Sequence, residues 1–277
     1  MPLVVCATPI GNLGDVTLRV LDALREADAV LCEDTRRTQI LLDRYEIRAK
    51  RLVSVHRHNE ARRVGELLPL MSLGETHALV SDAGLPGVND PGARLVEAAI
   101  AEGVHVTVLP GPSAVETALV ASGLATAQYR FLGYLPRRDA ELDALWDDSR
   151  TWDLAAVAFE SPRRLPRSLA RLARSDPDRR VAVCRELTKL HEEVVRGTAA
   201  ELSSHYSSGA LVKGEVTIVV GPGEQRTPDL DEAVAAVEGL VTAGAAHRAA
   251  VDVVARLSHV SRNALYRRSL AGRQRHD

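Results

Sequence analysis

Short apolar runs alternate with amphipathic stretches along the first 122 residues of the chain. The apolar runs are four or five residues long and rich in valine and leucine, as buried strands are. They stand at residues 3–7, 29–32, 51–55, 77–80 and 105–109. The stretches between them repeat apolar residues at helical spacing and predict helices at residues 17–27, 38–45, 61–72, 93–102 and 113–122. This alternation predicts a parallel, buried sheet with helices on its faces.

A second block of the same character follows. Its strands are predicted at residues 128–132, 155–159, 181–185 and 215–220, with helices at 140–146 and 163–172. The segment GPGEQRTPD, residues 221–229, has the Gly and Pro content of a linker. We therefore predict an α/β protein with two consecutive α/β domains, at 1–122 and 123–223, and a small helical C-terminal extension at 224–277.

The extension is rich in arginine and breaks into two or three short predicted helices. Its stretch AAVDVVARLSHVSRNALYRRSLAG resembles a helix-turn-helix, in which Ser261 is placed to cap the last helix. Arg262 and Arg267 belong to a set of seven arginines between positions 248 and 275. This pattern predicts contacts with nucleic-acid phosphates, although a solvated helical tail without a function stays open.

Composition limits how the chain could bind nucleic acid. Phe, Trp and Tyr make up only 3% of the 277 residues, so stacking many bases on aromatic platforms is disfavoured. The formal net charge is -2, so any contact with nucleic acid must come from local basic patches.

Cysteine and histidine usage bears on metal sites and on the compartment. Cys6, Cys32 and Cys184 are far apart and show no C-x-x-C spacing, which disfavours a metal cluster or a disulfide framework. The stretch HRHNE, residues 56–60, lacks a nearby cysteine or carboxylate cluster to complete a metal site, so no metal is expected. The sequence shows no signal-peptide pattern and no apolar stretch of roughly 18 residues, so we predict a cytoplasmic protein without membrane contact.

Three Gly- and Pro-rich loops follow predicted strands of the first sheet, where α/β folds bind ligands. TPIGNLGD, residues 8–15, lacks the glycine motifs that hold phosphates. SDAGLPGVNDPG, residues 81–92, is long for such a loop and carries Asp82 and Asp90 but no Lys or Arg. PGPS ends at Ser113, whose hydroxyl could cap a helix or face a ligand. These groups suit a ligand with amino, ribose or cationic groups better than a triphosphate.

Charged residues follow the ends of further predicted strands. In the first block they are the acidic pair Glu33 and Asp34 in CEDTRRT and, beside it, Arg36 and Arg37. In the second block they are Glu160, Arg163, Arg185, Glu186 and Lys189. Their position after strands predicts that they converge on a cleft, although helix caps and salt bridges are an alternative for each of them.

Taken together, these stretches resemble one protein family. TPIGNLGD, EDTR, HNE, SDAGLPGVNDPG, PGPSAVETALVASGL, FLGYLPR, ESPRR, RELTKLHEEVVRGT and KGE occur in its order and spacing. The family is that of the bacterial 16S ribosomal RNA 2′-O-ribose cytidine methyltransferases (RsmI), which is similar to the tetrapyrrole methylases. The resemblance covers residues 3–221, and the basic tail matches the C-terminal extension of the family.

The resemblance implies a tetrapyrrole-methylase fold and S-adenosylmethionine as methyl donor, bound without a Rossmann glycine fingerprint. The implied acceptor is the 2′-hydroxyl of a cytidine ribose in the decoding region of 16S rRNA, in the small ribosomal subunit. A homodimer is implied as well. The donor carries no phosphate, which explains the missing phosphate motif in TPIGNLGD. The implied donor-binding residues are Pro9, Gly11, Asp82, Gly84, Pro86, Asp90 and Ser113.

Methyl transfer to a ribose needs a group that orients the hydroxyl and accepts its proton, because an alcohol is a weak acid. We hypothesise that Glu160, Glu186 or Lys189 has this role. The predicted RNA contacts are Arg36, Arg37, Arg163, Arg185, Arg262 and Arg267. A tetrapyrrole C-methylase of the same fold is an alternative, against which the arginine-rich tail argues. A non-catalytic RNA-binding factor is another, against which the complete set of cleft motifs argues.

Overall fold

The computed structural model describes residues 2–87, 90–207, 213–223, 230–258 and 260–273, with backbone alone for 271–273. The chain divides into two compact units, residues 1–223 and 224–277. The first unit holds two five-stranded sheets, and the described part of the second is helical. The predicted fold class, two successive α/β domains with a helical extension, is confirmed.

All strands of the first sheet run parallel. They are β1 (Leu3–Cys6), β2 (Ala29–Cys32), β3 (Leu52–Ser54), β4 (His77–Val80) and β5 (Val106–Leu109). Their spatial order is β3-β2-β4-β1-β5. The central strands are buried on both faces, which requires apolar side chains at successive positions and explains the unbroken apolar runs in the sequence. The carboxyl ends of parallel strands share one edge, so the loops that follow β1, β2, β4 and β5 lie at the same edge of the sheet.

Five helices accompany these strands. They are α1 (Leu18–Glu26), α2 (Thr35–Arg44), α3 (Glu60–Ser72), α4 (Ala93–Ala101) and α5 (Ala114–Ser122). α1 and α2 pack on one face of the sheet, and α3 and α4 pack on the other. α2 begins three residues earlier than the apolar pattern predicted, because the Asp34 side chain accepts the N–H of Arg36 and caps a polar first turn.

The second sheet is mixed. Its strands are β6 (Tyr129–Tyr134), β7 (Ala155–Glu160), β8 (Arg180–Arg185), β9 (Glu193–Thr198) and β10 (Val216–Val220). Their order is β6-β7-β10-β8-β9; β6 pairs with β7 in parallel, and the other pairs are antiparallel. One face is covered by α6 (Asp139–Ser149), α7 (Leu165–Ser175) and α8 (Ala199–Ser207).

The other face of the second sheet is covered by α5. Val115 and Leu119 of this helix pack on Val157 of β7 and Ala182 of β8. Ile10, from the loop after β1, joins the same apolar cluster. The domain boundary predicted after residue 122 therefore lies at the end of α5, a helix that precedes the boundary in the chain but packs on the second sheet.

The sequence pattern did not predict β9 and α8. β9 is an edge strand with exposed Glu193 and Arg196, and none of its residues is fully buried. A strand of this kind carries little apolar signal, because only one long edge of its backbone is paired and its side chains reach solvent.

Three helices form the described part of the second unit. They are α9 (Leu230–Thr242), α10 (His247–Ser258) and α11 (Arg262–Arg273). Val237, Val251 and Leu265 form their common apolar centre. Arg262 forms an ion pair with Asp252 of α10. Across the described residues, no helix is long and apolar enough to cross a membrane.

A buried carboxylate holds the start of α4. Glu60, at the start of α3, is 6% exposed, and its Oε1 accepts the N–H groups of Gly92 and Arg94 at 3.0 Å each. These are N–H groups at a helix start, which have no partner within the helix. The motif HNE is thereby given a structural role.

We predict that Glu60→Ala lowers the free energy of unfolding by about 2 kcal/mol, because it removes the charged acceptor of two helix-start N–H groups. Glu66→Ala is the matched control, since Glu66 lies on the same helix but is exposed and paired only with surface arginines. Urea unfolding of both variants is the measurement. Equal stability of the two variants would contradict the capping role.

Candidate active site

Two of the predicted ligand loops are joined by backbone hydrogen bonds. The N–H of Thr8 donates to the carbonyl oxygen of Gly84 at 2.8 Å, and the N–H of Gly84 donates back at 3.0 Å. The Thr8 hydroxyl donates to the carbonyl oxygen of Ser81 at 3.0 Å. Gly84 has a φ of +78°, which only glycine adopts without strain. The loops after β1 and β4 therefore form one rigid piece.

The first unit has two α/β halves, residues 1–122 and residues 123–223. The loop after β1 also contacts the second half. A Cβ atom on Gly11 would lie 2.5 Å from Cγ of Lys189 and 2.8 Å from the carbonyl oxygen of Leu187. The N–H of Asn12 donates to the Thr188 hydroxyl at 3.1 Å. Glycine at position 11 is thus required for the close approach of the two halves.

A cavity of about 880 Å³ lies between the two halves. Its size falls within the range of small-molecule sites. The first half lines it with residues that include Glu33, Arg37, Asp82, Gly84, Asp90, Ser113 and Glu116. The second half lines it with residues that include Tyr129, Phe131, Tyr134, Phe159, Glu160, Gly214 and Glu215.

The predicted donor-binding residues divide into two groups. Asp82, Gly84, Asp90 and Ser113 line the cavity. Pro9, Gly11 and Pro86 are not among the described residues that line it. Pro9 and Pro86 are buried, and Gly11 contacts the second half, so these three residues lie where they shape the loops.

One wall of the cavity is acidic. This acidic wall consists of Glu33, Asp82 and Asp90. Asp82 accepts the N–H of Asp34 at 3.1 Å and lies 3.4 Å from a guanidinium nitrogen of Arg37. Burial, together with the charge of Glu33, raises the pKa of Asp90 to about 6. Burial, together with the charge of Asp82, also raises the pKa of Glu33. A cationic ligand would relieve this repulsion.

The carboxylate of Glu160 is held within the protein. Its side chain is fully buried. Oε1 accepts the backbone N–H of Ser161 at 2.5 Å and the Arg164 Nε–H at 2.7 Å, and Oε2 accepts the Ser168 hydroxyl at 2.5 Å. Arg164 also donates to the carbonyl oxygen of Leu135. The geometry is that of a structural ion pair at the cavity wall, with both oxygens occupied.

Glu186 and Lys189 form a second charged cluster with Glu215. The Lys189 ammonium lies 2.9 Å from Oε1 of Glu186 and 3.0 Å from a carboxylate oxygen of Glu215. Burial opposes the charge of Lys189, but the hydrogen bonds to the two carboxylates outweigh it and raise the pKa of Lys189. The hydrogen bond from Lys189 lowers the pKa of Glu186. Lys189 is therefore a fixed cation, and Glu186 is a weak base.

Gly214 closes this cluster. A Cβ atom on Gly214 would lie 2.4 Å from the carboxyl carbon of Glu186, and the φ of Gly214 is +92°. The next N–H, that of Glu215, donates to Oε1 of Glu186 at 2.9 Å. The cluster thus fixes the Gly214–Glu215 turn against the cavity, where both residues line the wall.

The predicted RNA-contacting arginines have different surroundings. Arg37 lines the cavity, and Arg36 and Arg163 are exposed. Arg185 is bound to Glu193, with Nε and a carboxylate oxygen 3.0 Å apart. In the second unit, Arg262 pairs with Asp252, and Arg267 is exposed and donates to the carbonyl oxygen of Asn263.

The sequence of the chain matches that of a known protein family. The sequence pattern of the Tetrapyrrole (Corrin/Porphyrin) Methylases matches residues 2–203, which cover most of both α/β halves. The chain belongs to this family. Its fold is therefore of the predicted tetrapyrrole-methylase type.

Two similar proteins identify a smaller family within the methylases to which this chain belongs. Ribosomal RNA small subunit methyltransferase I of Mesorhizobium japonicum is 41% identical over 273 residues, which are 97% of this chain and 91% of that protein. The protein of the same name from Thermotoga maritima is 43% identical over 225 residues, or 80% of this chain and 99% of that protein. The methylase belongs to the small subunit methyltransferase I family, and the predicted family is confirmed. Its predicted class of methyl donor, S-adenosylmethionine, is confirmed with it.

Solved structures share the fold at low identity. The structure of uroporphyrin-III C-methyl transferase from Thermus thermophilus, complexed with S-adenyl homocysteine, aligns with a TM-score of 0.55. The two chains are 18% identical, and the alignment covers 79% of this methylase and 96% of that chain. At this identity the likeness shows the fold alone.

Several cavity residues of the methylase were not among those predicted. Glu116 accepts the hydroxyl groups of Ser113 and Tyr129, and all three residues line the cavity. The spacing of Ser113 and Glu116 is that of a capping box, which would have drawn attention to Glu116. Glu33 lines the cavity as well, although the sequence marks it only as a member of the acidic pair in CEDTRRT. Among the described residues, no group of three His, Cys, Asp or Glu side chains could hold a metal ion.

We predict that Glu160→Gln lowers the free energy of unfolding by about 3 kcal/mol, because it leaves Arg164 without its buried counter-charge. Glu141→Gln is the control, since the Arg138–Glu141 pair is exposed and contributes under about 1 kcal/mol. Chemical unfolding measures both. If Glu160→Gln were as stable as the parent and yet inactive, Glu160 would act in the chemistry and not in the framework.

We predict that Asp90→Asn raises the free energy of unfolding by about 1 kcal/mol at pH 8, a value reduced for the partial solvent exposure of the carboxylate. The folded-state pKa lies above the unfolded one, so the ionised carboxylate costs stability at pH values above about 6. Below about pH 4 the carboxyl is neutral in both states and the gain disappears. Thermal unfolding between pH 4 and pH 8 is the measurement, and a gain that is constant over this range would refute the burial of Asp90.

Proposed function

We propose that the protein transfers the methyl group of S-adenosylmethionine to the 2′-hydroxyl of a cytidine ribose in the decoding region of 16S rRNA, within the small ribosomal subunit. One observation carries the proposal. Relatives that are 41% and 43% identical to this chain across both α/β halves are named ribosomal RNA small subunit methyltransferase I. The cytidine and its 2′-oxygen come from the family resemblance of the motifs.

The cavity residues fit this donor. A sulfonium and an amino group are cationic, and the acidic wall supplies negative charge from Glu33, Asp82 and Asp90. Gly111 allows the backbone to approach closely, since a Cβ there would lie 2.9 Å from that of Ala7, and Gly84 allows the positive φ of its loop. We assign donor binding to Asp82, Gly84 and Ser113, and the shaping of the loops to Pro9, Gly11 and Pro86. When bound, the donor supplies a methyl group on sulfur that is open to in-line attack.

The acceptor hydroxyl needs a proton acceptor, and we assign this role to Asp90. Asp90 lines the cavity, and its pKa is about 6. At a pH near 7 its carboxylate is therefore mostly ionised, yet it binds a proton more tightly than an ordinary aspartate does. The three residues hypothesised from the sequence have other roles in this proposal. Glu160 holds the wall through Arg164, and Glu186 and Lys189 fix the Gly214–Glu215 turn.

RNA binding is assigned to arginines of both units. Arg36, Arg37 and Arg163 are exposed or line the cavity of the first unit, and Arg262 and Arg267 are exposed in the second. Arg185 contributes less in this proposal, because Glu193 neutralises it. Such contacts act on phosphates and weaken as salt rises. A homodimer, as the resemblance implies, and a cytoplasmic location, as the sequence predicts, complete the proposal.

The test is methyl transfer from labelled S-adenosylmethionine to small ribosomal subunits that lack this modification, with the labelled nucleotide mapped. We expect label on a single cytidine 2′-oxygen. Label on a base or on another ribose would correct the acceptor. Absence of transfer by a protein that still binds the donor would reject the proposal and favour a tetrapyrrole acceptor.

Asp90→Asn and Glu186→Gln are a matched pair in the same assay. Loss of the proton acceptor is expected to lower kcat by about 10²-fold in Asp90→Asn, whereas Glu186→Gln keeps kcat within a few-fold. The opposite result would return the base to Glu186.

A further inference from the structure

Aromatic side chains are concentrated on one wall of the cavity. This aromatic wall consists of Tyr129, Phe131, Tyr134 and Phe159. The whole chain has only nine Phe, Trp and Tyr residues, so four of them line this one site. The ring of Phe159 lies edge-on to those of Phe131 and Tyr134, with centroids 5.2 and 5.6 Å apart. Elsewhere the core is almost entirely aliphatic.

A break in strand register turns Tyr134 toward the cavity. Side chains alternate between the faces of a strand, so residues three apart, such as Phe131 and Tyr134, would normally point to opposite faces. The pairing of β6 with β7 shifts register between these two residues, and Gly133 there has a φ of +66°. A bulge of this kind re-aims the side chains that follow it. As a result, Phe131 and Tyr134 line the same cavity.

Packing does not account for Tyr134. The residue is 65% exposed, so little of its ring is buried by the protein, and it lies on an edge strand of the second sheet. Phe131 and Phe159, by contrast, are half-buried and join the apolar cluster below α5. Tyr134 is therefore the outermost ring of the aromatic wall, with one side left for a ligand.

We propose that the ring of Tyr134 stacks on the base of the acceptor nucleotide once that nucleotide has turned out of its RNA stack into the cavity. The inference rests on the proposed function, whose acceptor must bring its ribose to the donor. Proteins bind unstacked RNA bases in this way, on the face of an exposed aromatic ring. One such ring positions one base and needs no aromatic-rich surface.

The position of Tyr134 favours the acceptor over the adenine of the donor. The donor is assigned to the loops around Gly84 and Ser113 of the first half, whereas Tyr134 belongs to the second half and to its solvent-facing edge. Tyr134 and Asp90, the proposed proton acceptor, line the same cavity. Partial burial raises the pKa of Tyr134, and the charge of Asp90 adds to this. A base stacked on Tyr134 would thus bring its ribose toward Asp90.

Three substitutions separate stacking from packing. Tyr134→Phe keeps the aromatic face, Tyr134→Leu keeps apolar bulk without it, and Tyr134→Ala removes both. We expect methyl transfer to small ribosomal subunits to show a KM raised about 10- to 100-fold in Tyr134→Ala and Tyr134→Leu, and unchanged within about 3-fold in Tyr134→Phe. Affinity for S-adenosyl homocysteine, measured by titration calorimetry, is expected to stay within about 3-fold in all three variants. The midpoint temperature of thermal unfolding should be similar in the three variants and the parent protein, because the side chain of Tyr134 is exposed.

The outcomes are distinct. Equal KM in Tyr134→Leu and Tyr134→Phe would show that bulk alone matters and would overturn the stacking role. Loss of S-adenosyl homocysteine affinity in Tyr134→Ala would place the ring on the donor, which also overturns it. If the parent protein itself methylates no subunit RNA, the proposed function fails first, and the inference fails with it.

Discussion

The two hydrogen bonds between Thr8 and Gly84 are the constraint on which the site depends. A parallel sheet brings the carboxyl ends of its strands to one edge but does not order the loops beyond them. The paired backbones of Thr8 and Gly84 join the loops after β1 and β4 into one piece. That piece carries the acidic residue Asp82 on one side, and through Gly11 it reaches the second half on the other. This connection therefore holds two lining residues, Asp82 and Gly84, in one piece with a loop that contacts the second half.

The charged residues around the cavity differ between the two halves. Two charged clusters of the second half lie near the cavity and are paired internally: Glu160 with Arg164, and Lys189 with Glu186 and Glu215. In the acidic wall, burial and, after it, the charge of a neighbouring carboxylate raise the pKa values of Glu33 and Asp90. Burying carboxylates beside one another costs stability and is typical of functional sites, because a ligand of opposite charge recovers that cost on binding.

Most of the fold could be predicted from the sequence, because buried parallel strands require apolar runs, which are unbroken in β1 and β2 and include a single polar residue in each of β3, β4 and β5. The loops of the site could be located for the same reason, as each follows a strand. The roles of single residues could not. Glu160, Glu186 and Asp90 are all carboxylates after strands, and their sequence positions do not show which one is neutralised by a partner. That Arg164 lies against Glu160, or that Glu33 lies near Asp90, depends on tertiary packing. β9 was not predicted, because an edge strand with charged side chains lacks the run of apolar residues that marks a buried strand.

The packing of α5 has a consequence for how the protein folds. This helix follows the first sheet in the chain, but its apolar face is covered mainly by strands of the second sheet, with Ile10 as a contribution from the first half. The central strand of that sheet, β10, is also the last to be synthesised. During translation most of the apolar face of α5 therefore stays uncovered until about one hundred further residues have emerged. Contacts so distant in sequence slow folding, and they make the two α/β halves gain and lose their structure together.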